Sequence, residues 1–476
     1  MSSRLIDCLA TTGALAEVFS DRSILQAMLD FEAALSRAEA GAGIIPARAA
    51  EAIAAAAIAD DLDAAVIARD ARESGTVVIP FVKALTARVQ AADPSSARFV
   101  HFGATSQDVA DTAMVLIIRR ARVLLSGGHE RLALILRELS DRHAGTLMLG
   151  RTLLQPAPPI TFGLKVAGWV AALSRSWTRL DSACGDAAIL QFGGASGTLA
   201  ALGDRGLAVA QALAEGLELR LPAAPWHTER DRLSAVVANA GIYTGALGKI
   251  ARDISLLMQD EVGEVSERGG GSSTMPHKRN PAGCAVVLAA ATRMPSLVAA
   301  FLSGAVQEHE RAVGGWHAEW PTMAAALQTT GSALAAMTEA AGELTVHPDR
   351  MRANIERTHG SIFAERVVML LAPGIGKETA NGLVSDAVAR SRETGKTFRE
   401  VLMAMPDVTH VIPRNVLERI DAPEDYLGAA EALRVRLLDN DSALPPGGGS
   451  HGNIEEGHAS KPDGNQSGVQ GHASPA

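Results

Sequence analysis

The chain has 476 residues, of which 4% are aromatic and 20% charged, and a formal net charge of -9. That length allows about three domains and a large buried core, while the acidic balance argues against a nucleic-acid surface and means that cations meeting an anionic ligand must be gathered locally. Cys8, Cys184 and Cys284 lie far apart without metal-ligand spacing, which points to a reducing cytoplasm and to packing roles rather than disulfides or structural zinc.

Residues 1–110 read as an N-terminal domain of short helices. Arg4, Asp7 and Glu17 interrupt the first apolar stretch and argue against a signal peptide. Ser23 is expected to cap a helix through ILQAMLDFEAALSRAEA, where apolar residues recur at helical spacing. The pattern breaks near Glu73-Ser74-Gly75-Thr76 and resumes at Ile79-Pro80, with the proline in a first turn. In RFVHFGATSQDVADTAM, Arg98 to Met114, Gly103 permits a tight turn, Thr105 and Ser106 offer adjacent hydroxyls, and Asp108 and Asp111 fall in the first turns of a long helix. The cluster reads either as a plain helix cap or as an anion site at a helix N-terminus.

Residues 111–350 are nearly all helical, in runs of roughly thirty residues without a regular heptad, which predicts an elongated bundle. Three stretches interrupt it: Gly150–Pro159, Leu190–Gly203 and the loop at 269–281. The most apolar run, AVVLAAATRMPSLVAAFL, contains Arg293 and Pro295 and is expected to be a core helix rather than a membrane span. After it, VQEHERAVGGWHAEW gathers His309, Glu310, Arg311, His317 and Glu319 at a helix end. Residues 351–440 predict a small C-terminal helical domain, and 441–476, rich in Gly, Ser, Pro, Asn and His, a disordered tail.

The loop GGGSSTMPHKRNP, Gly269 to Pro281, joins a glycine triplet to two serines, a threonine and the cations His277, Lys278 and Arg279, between two helical runs. It is not a phosphate-binding P-loop, since its lysine neither follows glycine nor precedes Ser or Thr.

GSSTMPHKRNP closely resembles the signature loop of the fumarase/aspartase superfamily, whose members add groups to, or eliminate them from, double bonds next to carboxylates. HFGATSQD is similar to the first shared region of its adenylosuccinate lyase and carboxymuconate cycloisomerase branches. GRTLLQ resembles the second region, with Thr152 and Gln155 in place and Leu153 where a histidine is expected. The resemblance spans about residues 5–435. It implies an all-α fold, an elongated central bundle flanked by smaller helical domains, assembled as a homotetramer whose sites draw three sequence regions from different subunits.

The resemblance also implies the site residues. Ser272 would be the catalytic acid/base, Lys278 and Asn280 would hold the substrate carboxylate with Thr105 and Ser106, and Thr152 and Gln155 would line the site. By their location in the chain, and not from the resemblance, His101, His309, His317 and Arg311 are expected to help neutralise a trianion. It requires no metal and no organic cofactor. Members that release an amine or hydroxide carry the second-region histidine and a glutamate seven residues after the signature lysine, but here those positions are Leu153 and Ala285. A carboxylate leaves without such help, its conjugate acid having a pKa of about 4. LQFGGASGTLAALG, PWHTERDR, QEHERAVGGWHAEW and DYLGAA look like the cycloisomerase branch, which implies a small tricarboxylate substrate, a cytoplasmic setting, and neither a nucleic-acid nor a membrane partner. Alternatives are adenylosuccinate lyase, another fumarate-type C–N or C–O lyase, and a catalytically silent structural relative.

Overall fold

Apolar side chains recurring every three or four residues drive the middle of the chain into long helices whose buried stripes face one another. The computed structural model describes residues 5–269, 271, 275 and 278–442. The expectations placed on Ser272 and on the tail past residue 442 lie outside the described residues. Among those described there are eighteen α-helices and two two-stranded sheets.

Helix α1, Asp21–Gly41, starts one turn earlier than the sequence suggests. The Ser20 side chain accepts the Ser23 backbone N–H, so Ser20 rather than Ser23 is the cap. The break at Gly75 is real: it ends the helix Ala64–Ser74 in a left-handed conformation, and the next helix, Val78–Ala92, carries Pro80 in its first turn. Helix α2, Ser106–Arg142, is 37 residues long and buries Val109, Ala113, Leu116, Ala121, Leu125, Leu132, Leu136 and Leu139 along one stripe.

The break after α2 is a β-hairpin, which helical periodicity alone did not resolve. Strand β1, Leu147–Thr152, pairs antiparallel with β2, Gln155–Thr161, with Thr152 opposite Gln155 and an irregularity between Leu149 and Gly150. The bundle continues with α3, Phe162–Asp186, α4, Asp231–Leu257, α5, Ala282–Ser303, and α6, Gly315–Gly342. Helices α4 and α5 approach closely because Gly248 has no side chain, and a Cβ there would stand 2.6 Å from that of Ala291.

Helix α5 is long and apolar enough to cross a membrane by length and composition, yet only 22% of that window is buried within the chain. Expected as a core helix, it buries Cys284, Val287, Ala290, Met294 and Phe301 and leaves Ala285, Ala289, Thr292, Ser296 and Ala299 exposed along the opposite face. Most buried apolar residues from Leu15 to Met351, with Leu438, form one large core, whereas buried residues from Val367 to Ile420 form a separate one. The run MRANIERTHGSIFAERVVMLLAP is divided into Pro348–Glu356 and Ala364–Ile375, with Gly360 at φ 83° between them.

Candidate active site

Thr105 and Ser106 stand at the N-terminus of α2, where free backbone N–H groups and the helix dipole favour an anion. The helix start is pinned from inside. Asp108, fully buried, reaches back to accept the Thr105 N–H at 3.0 Å and also accepts the N–H groups of Gly193 and Gly194 at 3.0 and 2.9 Å. Its Oδ1 lies 2.8 Å from Nε2 of buried His227. Gly194 is at φ 70°, and a Cβ there would sit 2.8 Å from the Gly103 carbonyl oxygen, so this loop can close on the helix only as glycine.

Arg311 joins this point from the loop between α5 and α6. Its Nη1 donates to Thr105 Oγ1 at 2.7 Å, and Nη2 donates to the carbonyls of Gly194 and Ala195 at 3.3 and 3.1 Å. No carboxylate pairs with it among the described residues, so its charge faces a helix N-terminus rather than an acid. An uncompensated guanidinium beside free N–H groups is a carboxylate-binding arrangement. One turn along α2, a cavity of about 340 Å³ is lined by Ala110 with Arg72 and Thr76 and by Trp316, His317 and Trp320.

His101, at φ 59°, sits in the turn before Thr105 with its ring held by buried Glu32. Burial alone would lower the imidazole pKa, but the charge and hydrogen bond of Glu32, with the charge of Asp108, hold it above the ordinary value.

The other expected site residues are not joined to this cluster. No hydrogen bond or ion pair among the described residues connects Thr152, Gln155, Lys278 or Asn280 to Thr105 or Arg311. Thr152 and Gln155 are exposed at the hairpin tip, where Leu153 and Leu154 adopt φ of 49° and 64° and are 96% and 74% exposed. Lys278 is exposed, with its backbone N–H on the Met275 carbonyl, and Asn280 is half-buried just before α5. The start of α5 is anchored instead by Glu267, which accepts the N–H groups of Gly283 and Cys284. His309, exposed at φ 49°, lies in the same loop as Arg311 rather than at a helix end.

Sequence reasoning missed the buried frame behind these groups. Arg230 binds Asp111 and Glu319, Trp316 Nε1 donates to Asp111 at 2.9 Å, and Gln107 Nε2 bridges Asp111 and the His227 carbonyl. The signal was present as a charged stretch, PWHTERDR, but only the fold shows that Arg230, and not Arg232, is fully buried.

Comparison with known proteins agrees with this architecture. A family model described as Lyase matches residues 9–295, and one described as Adenylosuccinate lyase C-terminus matches 360–437. The chain therefore belongs to the lyase family of the fumarase/aspartase superfamily. It is 48% identical, over 92% of its length and 98% of the relative's, to a 3-carboxy-cis,cis-muconate cycloisomerase of Bradyrhizobium diazoefficiens. It is 46% identical, over 93% and 97%, to a protein of the same name from Pseudomonas aeruginosa. The crystal structure of the 3-carboxy-cis,cis-muconate lactonizing enzyme from Pseudomonas putida superposes with a TM-score of 0.87 at 44% identity, covering 92% of this chain and 99% of that one.

Proposed function

We propose that this chain interconverts 3-carboxy-cis,cis-muconate and 4-carboxymuconolactone, a lactonisation in the protocatechuate branch of aromatic degradation. The observation that carries the reading is the joint replacement of the superfamily's leaving-group histidine and glutamate by Leu153 and Ala285, two side chains that can neither give nor take a proton. A carboxylate is the leaving group, or in the forward direction the nucleophile, that needs no such partner.

In the forward direction one substrate carboxylate adds across the neighbouring double bond, forming a C–O bond and placing charge on the adjacent carbon. That charge spreads into a second carboxylate held by Lys278 and Asn280. Ser272 then supplies the proton that completes the C–H bond. Thr105, Ser106 and Arg311 hold a remaining carboxylate at the α2 N-terminus, with His101 beside them, and His309 completes the cationic rim. Thr152 and Gln155 reach the site from another subunit, which accounts for their isolation in the single chain. Preorganised donors of this kind each contribute a few kcal/mol, about 3 for one placed at the developing charge.

The assembly is a cytoplasmic homotetramer with three parts to each chain, 1–110, 111–350 and 351–440. The exposed small-residue face of α5 supports it, since such a face permits close helix packing between copies.

An ultraviolet assay of purified protein with 3-carboxy-cis,cis-muconate tests the reaction. Loss of the conjugated diene with formation of the lactone is expected, and Ser272→Ala should lose most turnover while keeping its assembly. Turnover of adenylosuccinate in place of the muconate would overturn the reading, because it would require a proton donor for an amine.

A further inference from the structure

Glu32 belongs to none of the three shared sequence regions. It lies in the middle of α1, 1% exposed, 69 residues before the turn that carries His101. Both of its oxygens nevertheless serve that one residue. Oε2 accepts the His101 backbone N–H at 3.1 Å, and Oε1 stands 2.6 Å from the ring Nδ1.

The two contacts do different work. A histidine at φ 59° is in the left-handed region, which is unfavourable for a residue with a Cβ, and a carboxylate on its N–H helps to hold that backbone. The contact to Nδ1 sets the ring. A carboxylate accepts and does not donate, so Nδ1 carries the proton and Nε2 becomes the nitrogen that meets solvent or ligand. Nε2 has no partner among the described residues.

We infer that Glu32 is a positioning residue for the anion site: it fixes His101 with Nδ1 turned inward, so that the ring presents a cationic Nε2–H to a substrate carboxylate beside Arg311 and Thr105. The inference rests on the reading of His101 as a substrate-facing group. The charged groups acting on the ring are Glu32 from α1 and Asp108 from α2, and Asp108 is already shared among three backbone N–H groups and His227. Glu32 is therefore the group whose charge is chiefly committed to His101. The chain that lacks the superfamily's histidine–glutamate pair at Leu153 and Ala285 thus has a half-buried histidine held by a buried glutamate elsewhere, used to hold charge rather than to move a proton to a leaving group.

The test combines kinetics with a direct reading of the ring. In carbon-13 histidine NMR of the full-length wild-type enzyme, with the His101→Gln spectrum assigning the resonance, His101 should titrate above the ordinary histidine value of about 6.5 with Nδ1 protonated. Glu32→Gln should lower that titration by about one pH unit, raise KM for 3-carboxy-cis,cis-muconate about tenfold with little change in kcat, and move the alkaline limb of kcat/KM to lower pH. Glu32→Asp should recover part of each effect. A wild-type His101 that titrates at or below the ordinary value overturns the inference without reference to any variant. An unchanged KM and pH profile in folded Glu32→Gln, while His101→Gln raises KM, overturns it and leaves the role of His101 standing. An unchanged KM in His101→Gln overturns the reading beneath it.

Discussion

Arg230 grips Asp111 through both terminal nitrogens, Nη1 to Oδ2 at 2.7 Å and Nη2 to Oδ1 at 3.0 Å, and all of these groups are buried. The same guanidinium binds Glu319, so one cation stands between two carboxylates from α2 and α6. Burying three charges is costly, and the geometry compensates only while the triad is complete. Arg230→Met should lower the unfolding free energy by about 3–5 kcal/mol, read as a reduced urea midpoint, because it strands two buried carboxylates. Converting Asp111 and Glu319 to leucine in the same variant should recover much of that loss. Failure of the triple variant to recover would mean that the triad also fixes helix geometry that apolar packing cannot supply.

Glu39 lies two turns beyond Glu32 on α1, fully buried, and neither carboxyl oxygen has a hydrogen-bond partner. Burial, with the nearby Glu32 charge, pushes its pKa up to about 9. The folded state therefore binds a proton that the unfolded state releases above its ordinary value near 4.5. The associated stability is fully present below that value and is lost as pH rises toward 9. At pH 7 the cost is about 3 kcal/mol relative to acid conditions. Glu39→Gln removes the titration, so its unfolding free energy should exceed that of the parent at pH 8 and converge with it near pH 4.5. A parallel pH dependence in the two proteins would show that Glu39 is not the responsible group.

The fold class was legible because 3.6-residue periodicity survives over helices as long as α2, and the capped start of α2 was legible because Thr105, Ser106 and Asp108 lie close together in sequence. The charged frame was not. Asp108 meets His227, and Asp111 meets Arg230, 119 residues away in each case, and nothing local marks a charged residue that will turn inward. Ser23 was misread as a cap because it sits beside the apolar run, although Ser20 makes the hydrogen bond. The hairpin escaped notice since its tip is Leu-Leu, where two-residue turns of left-handed backbone ordinarily use Asn-Gly.

That tip leads to a further prediction. Leu153 and Leu154 both occupy left-handed backbone and expose most of their surface, two unfavourable features in one turn. The combined change Leu153→Asn and Leu154→Gly should relieve strain and raise the unfolding free energy by about 1–2 kcal/mol. Because the tip separates Thr152 from Gln155, the same change should lower kcat/KM for the muconate. A gain in stability with undiminished activity would show that the leucines have no part in the site.

Helix α5 yields the prediction about assembly. Ala285, Ala289, Thr292, Ser296 and Ala299 are all exposed and recur every three or four residues, so they form one smooth stripe opposite the stripe that packs on α4 and α6. Small side chains let another helix approach closely, and a bulky charge at the centre of the stripe holds it away. Ala289 does not belong to the buried stripe of Cys284, Val287, Ala290 and Met294, so Ala289→Arg should leave the chain's own fold intact. Light scattering coupled to size-exclusion chromatography should give a tetramer for the parent and a smaller species for the variant. Activity should fall with assembly, since Thr152 and Gln155 would no longer reach a neighbouring Arg311. A monomeric variant that retained full turnover would require each chain to complete its own site, and the sharing of sites between subunits would fall.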